Sequence, residues 1–373
     1  MKTCQIKLIL VFLIFVNFSL NLYSFSEYFV NVHLIDATKL NVITQSRGFE
    51  IQYGNNKNLL NINKLNVSVT SGNILINNTR YSERVIITAR SPIQINEIDY
   101  DGEIHLIVHD KNLIRVVNRI NVENYLKSVI SAEMGGQSPL EALKAQAVAA
   151  RTITLSKIAS QKHSNDGYDL CNTTHCQVYK GLTGITSTVL NAVTQTAGLI
   201  LVHKGNPIEA FYSAHCGGMT ECSGSVWQTR QNYLVSQPDN FCINTSLIPN
   251  WNQRSINWEV NFTKREIENL FGVSNLREVV VSKRYESTRV EAITIKASKE
   301  LTVNGQYEIR NRFNLPSTLF IIIKNNDNYL FIGNGYGHGV GMCQTGAIAR
   351  ANAGNDFREI LNFYYTDISI MEN

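Results

Sequence analysis

The stretch "SAEMGGQSPLEALKAQAVAAR", residues 131–151, sets the reading of the whole chain. Its second half is a helix with a marked start. Ser138 suits an N-cap, Pro139 suits the first helical position, and Glu141, three residues past the cap, completes a capping box. Leu140, Leu143, Ala147, Ala150 and Thr154 follow at helical spacing, with alanines that permit close packing. Upstream, "INVENYLKSVISAEM" (120–134) places Val122, Tyr125, Leu126 and Val129 on one stripe, so another helix ends where Gly135-Gly136 begins. Glu133 then stands in the last turn of the first helix, at the mouth of the second.

Around this pair of helices the chain reads as strands. From about 28 to 118, short apolar runs such as "VNVHLI", "VSVT" and "EIHLIVH" alternate with Asn, Gly and Asp turns. Residues 255–332 alternate again ("NWEVNF", "REVVVSKR", "VEAITIKA"), and the chain closes on "GNGYGHGVGMCQTGAIARANAG" and the amphipathic "FREILNFYYTDI". The expected class is α+β: a strand-rich body, a small helical catalytic segment of two helices around a Gly-Gly loop, and a cleft. The expected divisions are an N-terminal signal or anchor (1–26), a strand-rich region (27–118), a core carrying the chemistry (119–250), a strand-rich section (251–332) and a C-terminal return to that core (333–373).

Of 373 residues, 44% are hydrophobic and 17% charged, which suits a chain with a real core and excludes disorder. The formal net charge is +4 with no dense Lys/Arg block, so nothing points to a nucleic-acid partner. Lys2 and Lys7 precede an apolar run from Leu8 to Val16, then polar residues with Ser24 and Ser26. That is the layout of a signal peptide. The run is shorter than the roughly 20 residues that span a bilayer, so any membrane contact is through this segment if uncleaved. The expected location is outside the cytoplasm: the periplasm or the outer face of the cytoplasmic membrane. Export favours disulfides among Cys171, Cys176, Cys216, Cys222, Cys242 and Cys343. Cys216, Cys222 and Cys242 are close enough in the chain for two to pair.

Several constellations offer chemistry. Glu133 reads either as a solvated loop acid or as the acid/base of an enzyme that needs only one. Lys144 and Arg151, seven apart, share a helix face while Gln146 points away from it; the two cations suit a sugar-binding cleft or a plain solvent-facing stripe. In "KHSNDGYDLCNTTHCQVY", His163, Cys171, His175 and Cys176 supply two imidazoles and two thiolates, a tetrahedral zinc set of structural type. The competing reading is a Cys171–Cys176 disulfide. The glycines around His338 in "GYGHGVGMCQTG" let backbone approach a ligand, or simply form tight turns. No Gly-x-Ser-x-Gly, His-Glu-x-x-His or dinucleotide fingerprint occurs.

"SAEMGGQSPLEALKAQAVAARTITL", "HCQVYKGL", "EAFYSAHCGGMTE…VW" and "GYGHGVGMCQTGAIARANAG…EILNFYY" together resemble the bacterial stage II sporulation protein D family, which includes amidase enhancers. The resemblance runs from about 120 to 368. It implies a lytic transglycosylase that cuts peptidoglycan glycan strands stripped of stem peptides. It matches the catalytic glutamate to Glu133 and the helix positions to Lys144, Gln146 and Arg151, with His338 and Gln344 as further glycan contacts. It matches the zinc loop to Cys171, His175 and Cys176, and less closely to His163, whose spacing is longer. Cys343 stands where the family has serine. The implied partners are glycan strands, and for the enhancer branch a cell-wall amidase that a non-catalytic relative would stimulate.

Overall fold

Alternation of buried and exposed side chains turns residues 29–121 into two sheets. The computed structural model describes residues 28–372 except Gln228, so the expected signal segment lies outside the described residues. One sheet has seven strands in the order Leu170–Cys171, Phe29–Ala37, Leu113–Asn121, Glu103–Asp110, Val85–Ala89, Phe49–Tyr53 and Asn56–Leu60. The other has six, in the order Ile98–Tyr100, Ile93–Ile95, Lys39–Thr44, Lys64–Thr70, Asn73–Ile76 and Thr79–Tyr81. In Lys39–Thr44, Leu40, Val42 and Thr44 are buried while Lys39 and Asn41 are exposed, the period of two that a one-sided sheet requires. Both sheets contribute to a single hydrophobic core.

The helices are α1 (Val122–Met134), α2 (Leu140–Ser160), α3 (Ser187–Gln195), α4 (Lys264–Phe271), α5 (Gln306–Phe313), α6 (Gln344–Asn352) and α7 (Phe357–Tyr364). α1 starts directly from strand Leu113–Asn121, where the Asn121 side chain accepts from Glu123 N at 2.9 Å. It stops at Gly135, whose φ of 75° admits glycine readily. Gly136 is needed for another reason: a Cβ there would lie 2.4 Å from Thr186 Cγ2.

The start of α2 differs from the expected capping box. The helix begins at Leu140 behind Pro139, with no side-chain cap. Ser138 instead donates back to Met134 O at 2.7 Å, closing α1. Glu141 turns outward, taking Lys144 Nζ at 2.6 Å and Phe357 N at 3.0 Å, so it caps α7 across the core.

From Leu143 to Arg151 only Lys144 escapes burial. A helix apolar all round is an interior helix, and α2 packs against α1, α3, α6 and α7. Its alanines let those neighbours approach. Leu143 and Val148, both fully buried, each contribute about 1.5–3 kcal/mol of burial.

A second hydrophobic core belongs to 257–334, where two three-stranded antiparallel sheets pack with α4 and α5. It is tied to the first by buried polar contacts. Glu221 accepts from Gln306 Nε2 at 3.0 Å and from Ser287 Oγ, and fully buried Arg289 donates to Met219 O at 3.3 Å. The chain then returns to the first core. Met342–Cys343 pairs in parallel with Tyr212–Ser213, and Ser369–Glu372 pairs antiparallel with Leu199–His203. The molecule is thus mixed α and β with strands predominating. Among the described residues no helix is long and apolar enough to cross a membrane.

Arg151, expected on a surface stripe, is fully buried. It donates to Glu123 Oε1 and Oε2 at 2.7 and 2.8 Å and to Leu199 O at 3.0 Å. This fork holds α2 to the start of α1. Replacing Glu123 with Ala strands a buried guanidinium, and the expected cost is about 3 kcal/mol. Denaturant unfolding of Glu123→Ala measures it; a loss below about 0.5 kcal/mol, the range of ordinary surface changes, would deny the pair its clamping role.

Candidate active site

Glu133 projects from the last turn of α1 and is half-buried. Val178 N donates to its Oε1 at 3.0 Å, and the Gln344 side chain also donates to it. Removal from water is the largest influence and raises its pKa above the ordinary carboxylate value; the two donors pull the other way and lose. None of the groups that shift it is another carboxylate. Glu133 therefore keeps its proton to higher pH than a free glutamate.

Gln344 opens α6 and donates through Nε2 to Gln146 Oε1 at 3.3 Å. Gln146 is fully buried, and its Nε2 has no protein partner. The end of α1, the middle of α2 and the start of α6 thus meet at Glu133, Gln146 and Gln344. The helix face that holds Gln146 was read from sequence as the wrong one. Burial of the segment Ala145–Thr154 on all sides removes that objection, because that segment has no solvent face to choose.

The cations do not join this group as free hands. Arg151 is locked to Glu123, and Lys144 is held by Glu141, its ammonium 5.8 Å from the Phe357 ring centre. His338 lies in an aromatic set, edge-on to Trp227 at 5.2 Å, while Trp227 stacks on Phe211 at 4.4 Å. Its Nδ1 accepts from Val340 N at 3.0 Å, and burial first, then Arg310 and Arg289, pushes its pKa down to about 3. His338 is therefore held in its neutral form.

Of the four metal-type residues, His163, His175 and Cys176 have donor atoms all within 4.8 Å of one another, and Cys171 borders that group through His175. Cys176 Sγ is 3.4 Å from His175 Nδ1 and 3.7 Å from His163 Nε2, and Cys171 Sγ is 3.5 Å from His175 Nδ1. The sulfur-to-nitrogen edge of a zinc tetrahedron is about 3.6 Å, from Zn–S of about 2.3 Å and Zn–N of about 2.0–2.1 Å. The donor set fits that ion. His163 also places Nδ1 3.4 Å from Asp166 Oδ2, the outer-shell carboxylate that orients a ligating imidazole. Both thiols are free, so the Cys171–Cys176 disulfide is not formed. Strand Leu170–Cys171 anchors the loop by pairing with Val32 and His33.

Two things escaped the sequence reading. Val178 acts through its backbone, which leaves no side-chain signature. Gln177, beside it, is buried and ties Tyr125 Oη at 3.0 Å, Thr154 Oγ1 at 2.9 Å and Tyr212 Oη at 3.2 Å into one network. Its place directly after the Cys/His loop was the available signal. Of the three cysteines close in sequence, Cys216 and Cys242 lie against each other, whereas Cys222 stands apart beside Ser225.

The raised pKa has a stability consequence. Between the ordinary value of 4.5 and the higher folded value, the folded protein binds more protons than the unfolded chain, so stability falls as pH rises through that window. Glu133→Gln cannot ionise and keeps an acceptor for Val178. It should therefore unfold at a higher temperature than the parent at pH 7, with the gap closing below about pH 4. An equal gap at both pH values would exclude desolvation of the carboxylate as its cause.

Residues 110–203 match the SpoIID family, described as stage II sporulation protein, and residues 249–341 match a domain of unknown function (DUF8618). An uncharacterized protein of Brachyspira hyodysenteriae is 34% identical over 294 residues, covering 78% of this chain and 77% of that protein. The amidase enhancer of Bacillus subtilis is 31% identical over 287 residues, covering 64% of this chain and 39% of the relative. Stage II sporulation protein D of the same species is 29% identical over 271 residues, 69% of this chain and 76% of the relative. With the family model over residues 110–203 and relatives of these names at 29–31% identity, the chain belongs to the stage II sporulation protein D family.

Proposed function

We propose that the protein is an exported lytic transglycosylase that cleaves MurNAc–GlcNAc bonds in peptidoglycan strands, with peptide-stripped strands as substrate. The observation that carries this reading is the solitary, desolvated Glu133. Ordinary glycosidases need two carboxylates, one as acid and one as base or nucleophile. A transglycosylase needs one, because the 6-hydroxyl of the muramic acid residue supplies the attacking oxygen. Glu133 gives its proton to the glycosidic oxygen as the bond to the anomeric carbon breaks. The 6-hydroxyl oxygen bonds to that carbon, and its proton returns to Glu133, leaving a 1,6-anhydro end. A raised pKa supports the first transfer, and the Val178 and Gln344 donors stabilise the carboxylate that follows it.

In this reading Gln146 acts from beneath, its Oε1 holding the Gln344 side chain that donates to Glu133. Half-exposed Trp227 on Phe211, with His338 at its edge, offers a face on which a sugar ring stacks. Lys144 can leave Glu141 for a lactyl carboxylate. Arg151 contributes by holding α2, not by touching glycan.

We assign a structural zinc to His163, Cys171, His175 and Cys176. It would fix the loop whose continuation presents Val178 N–H to Glu133. Chelation, or Cys176→Ser, should remove this ion and lower turnover about 10- to 100-fold, as read from anhydro-product release. Full activity in metal-free protein would separate the loop from the chemistry.

Glu133→Gln should abolish release of 1,6-anhydro products from purified denuded strands while leaving strand binding intact; undiminished release would rule the assignment out. The amidase-enhancer relative favours a second reading, a glycan-binding protein that stimulates an amidase. Parent protein that binds strands, yields no anhydro sugar and accelerates a partner amidase would decide for it.

A further inference from the structure

Three cysteines far apart in sequence meet in one buried place. Cys216 Sγ stands 3.2 Å from Cys242 Sγ and 3.5 Å from Asp239 Oδ2. With Cys343, one donor atom from each of these four residues lies within 4.8 Å of every other, and all four residues are fully buried. We propose that Cys216, Asp239, Cys242 and Cys343 form a second metal site, for zinc or a similarly thiophilic, tetrahedral divalent cation.

The surroundings of the donors argue for this. Cys343 Sγ accepts from Cys216 N at 3.2 Å and Gly346 N at 3.3 Å, and Cys242 Sγ accepts from Gly218 N at 3.1 Å. A thiol sulfur is a weak acceptor, whereas three main-chain donors aimed at two sulfurs suit thiolates. Asp239 is oriented as ligating carboxylates are: Tyr364 Oη donates to Oδ2 at 2.6 Å and Arg350 pairs with Oδ1 at 3.2 Å. Arg350 also offsets part of the anionic charge. Three sulfurs and one oxygen are a soft set that selects zinc over magnesium or calcium.

The competitor in an exported protein is a Cys216–Cys242 disulfide. Its bond would be about 2.0 Å, whereas adjacent sulfurs on a zinc tetrahedron lie about 3.8 Å apart. The 3.2 Å spacing is nearer the second. A disulfide would also leave Cys343 and Asp239, with their donors, without a shared task. The metal uses all four.

Such an ion has a place in the architecture. It pins the 213–222 loop and the 239–242 segment to Cys343, the residue before Gln344, whose side chain donates to Glu133. One metal loop would hold the carboxylate through Val178 and the other through Gln344.

Cys343→Ser gives a clean test. The Cys343 side chain caps α6 by accepting from Gly346 N, and a serine hydroxyl caps as well, so the helix start survives loss of the sulfur. Full-length protein purified without chelator should carry about two zinc equivalents by elemental analysis. Cys343→Ser and, independently, Cys242→Ser should each lose about one, while Cys176→Ser loses the other. Unchanged metal content in Cys343→Ser and Cys242→Ser would overturn the proposal. So would a Cys216–Cys242 linkage in a non-reducing peptide map of the parent protein.

Discussion

Burial of the middle of α2, from Ala145 to Thr154, is the constraint on which the rest of the molecule depends. A helix segment without a solvent face must be enclosed by several elements at once, and α2 packs against α1, α3, α6 and α7. Alanine makes the enclosure close. The same closeness presses the polar groups of that segment toward partners: Arg151 takes Glu123, Thr154 takes Gln177, and Gln146 Oε1 takes Gln344, while Gln146 Nε2 is left without one. Polar contacts that look like a site are thus first consequences of packing. Only the donors and acceptors left over are free for a ligand.

Glu133 is the place where packing and chemistry conflict. A carboxylate half out of water costs stability unless it keeps its proton or finds donors. The fold supplies two donors, too few to cancel the desolvation. A solvated loop acid would have settled near the ordinary value and would be a weaker proton source at neutral pH. The imbalance is a property of position at the end of α1, set by Gly135 and Gly136 turning the chain away directly afterwards.

Much of this was legible in the sequence, because local rules governed it. The two helices and their Gly-Gly joint followed from periodicity and glycine placement, and the N-terminal strands from alternation. The Cys/His loop followed from residue type. The face of α2 did not follow, since helical periodicity assumes a solvent side that its segment Ala145–Thr154 lacks. Arg151 was misplaced for the same reason. The box at Ser138 failed because Glu141 found a better partner in Phe357 N, more than two hundred positions along the chain. Val178 was silent because its backbone acts. Cys343 looks unrelated to Cys216 and Cys242 until the fold joins them, and sequence alone did not say which two of Cys216, Cys222 and Cys242 would meet.

The parallel pairing of Tyr212–Ser213 with Met342–Cys343 has a consequence for the timing of assembly. Residues 257–334 form their own hydrophobic cluster and lie between those two strands in the chain. During synthesis, Glu133 emerges early and Gln344 only after that whole segment has been made. Domains tend to fold as units in the order they appear, so the carboxylate waits, half-furnished, while an entire neighbour takes shape. Glu133 therefore gains its Gln344 donor only once that neighbour has been built.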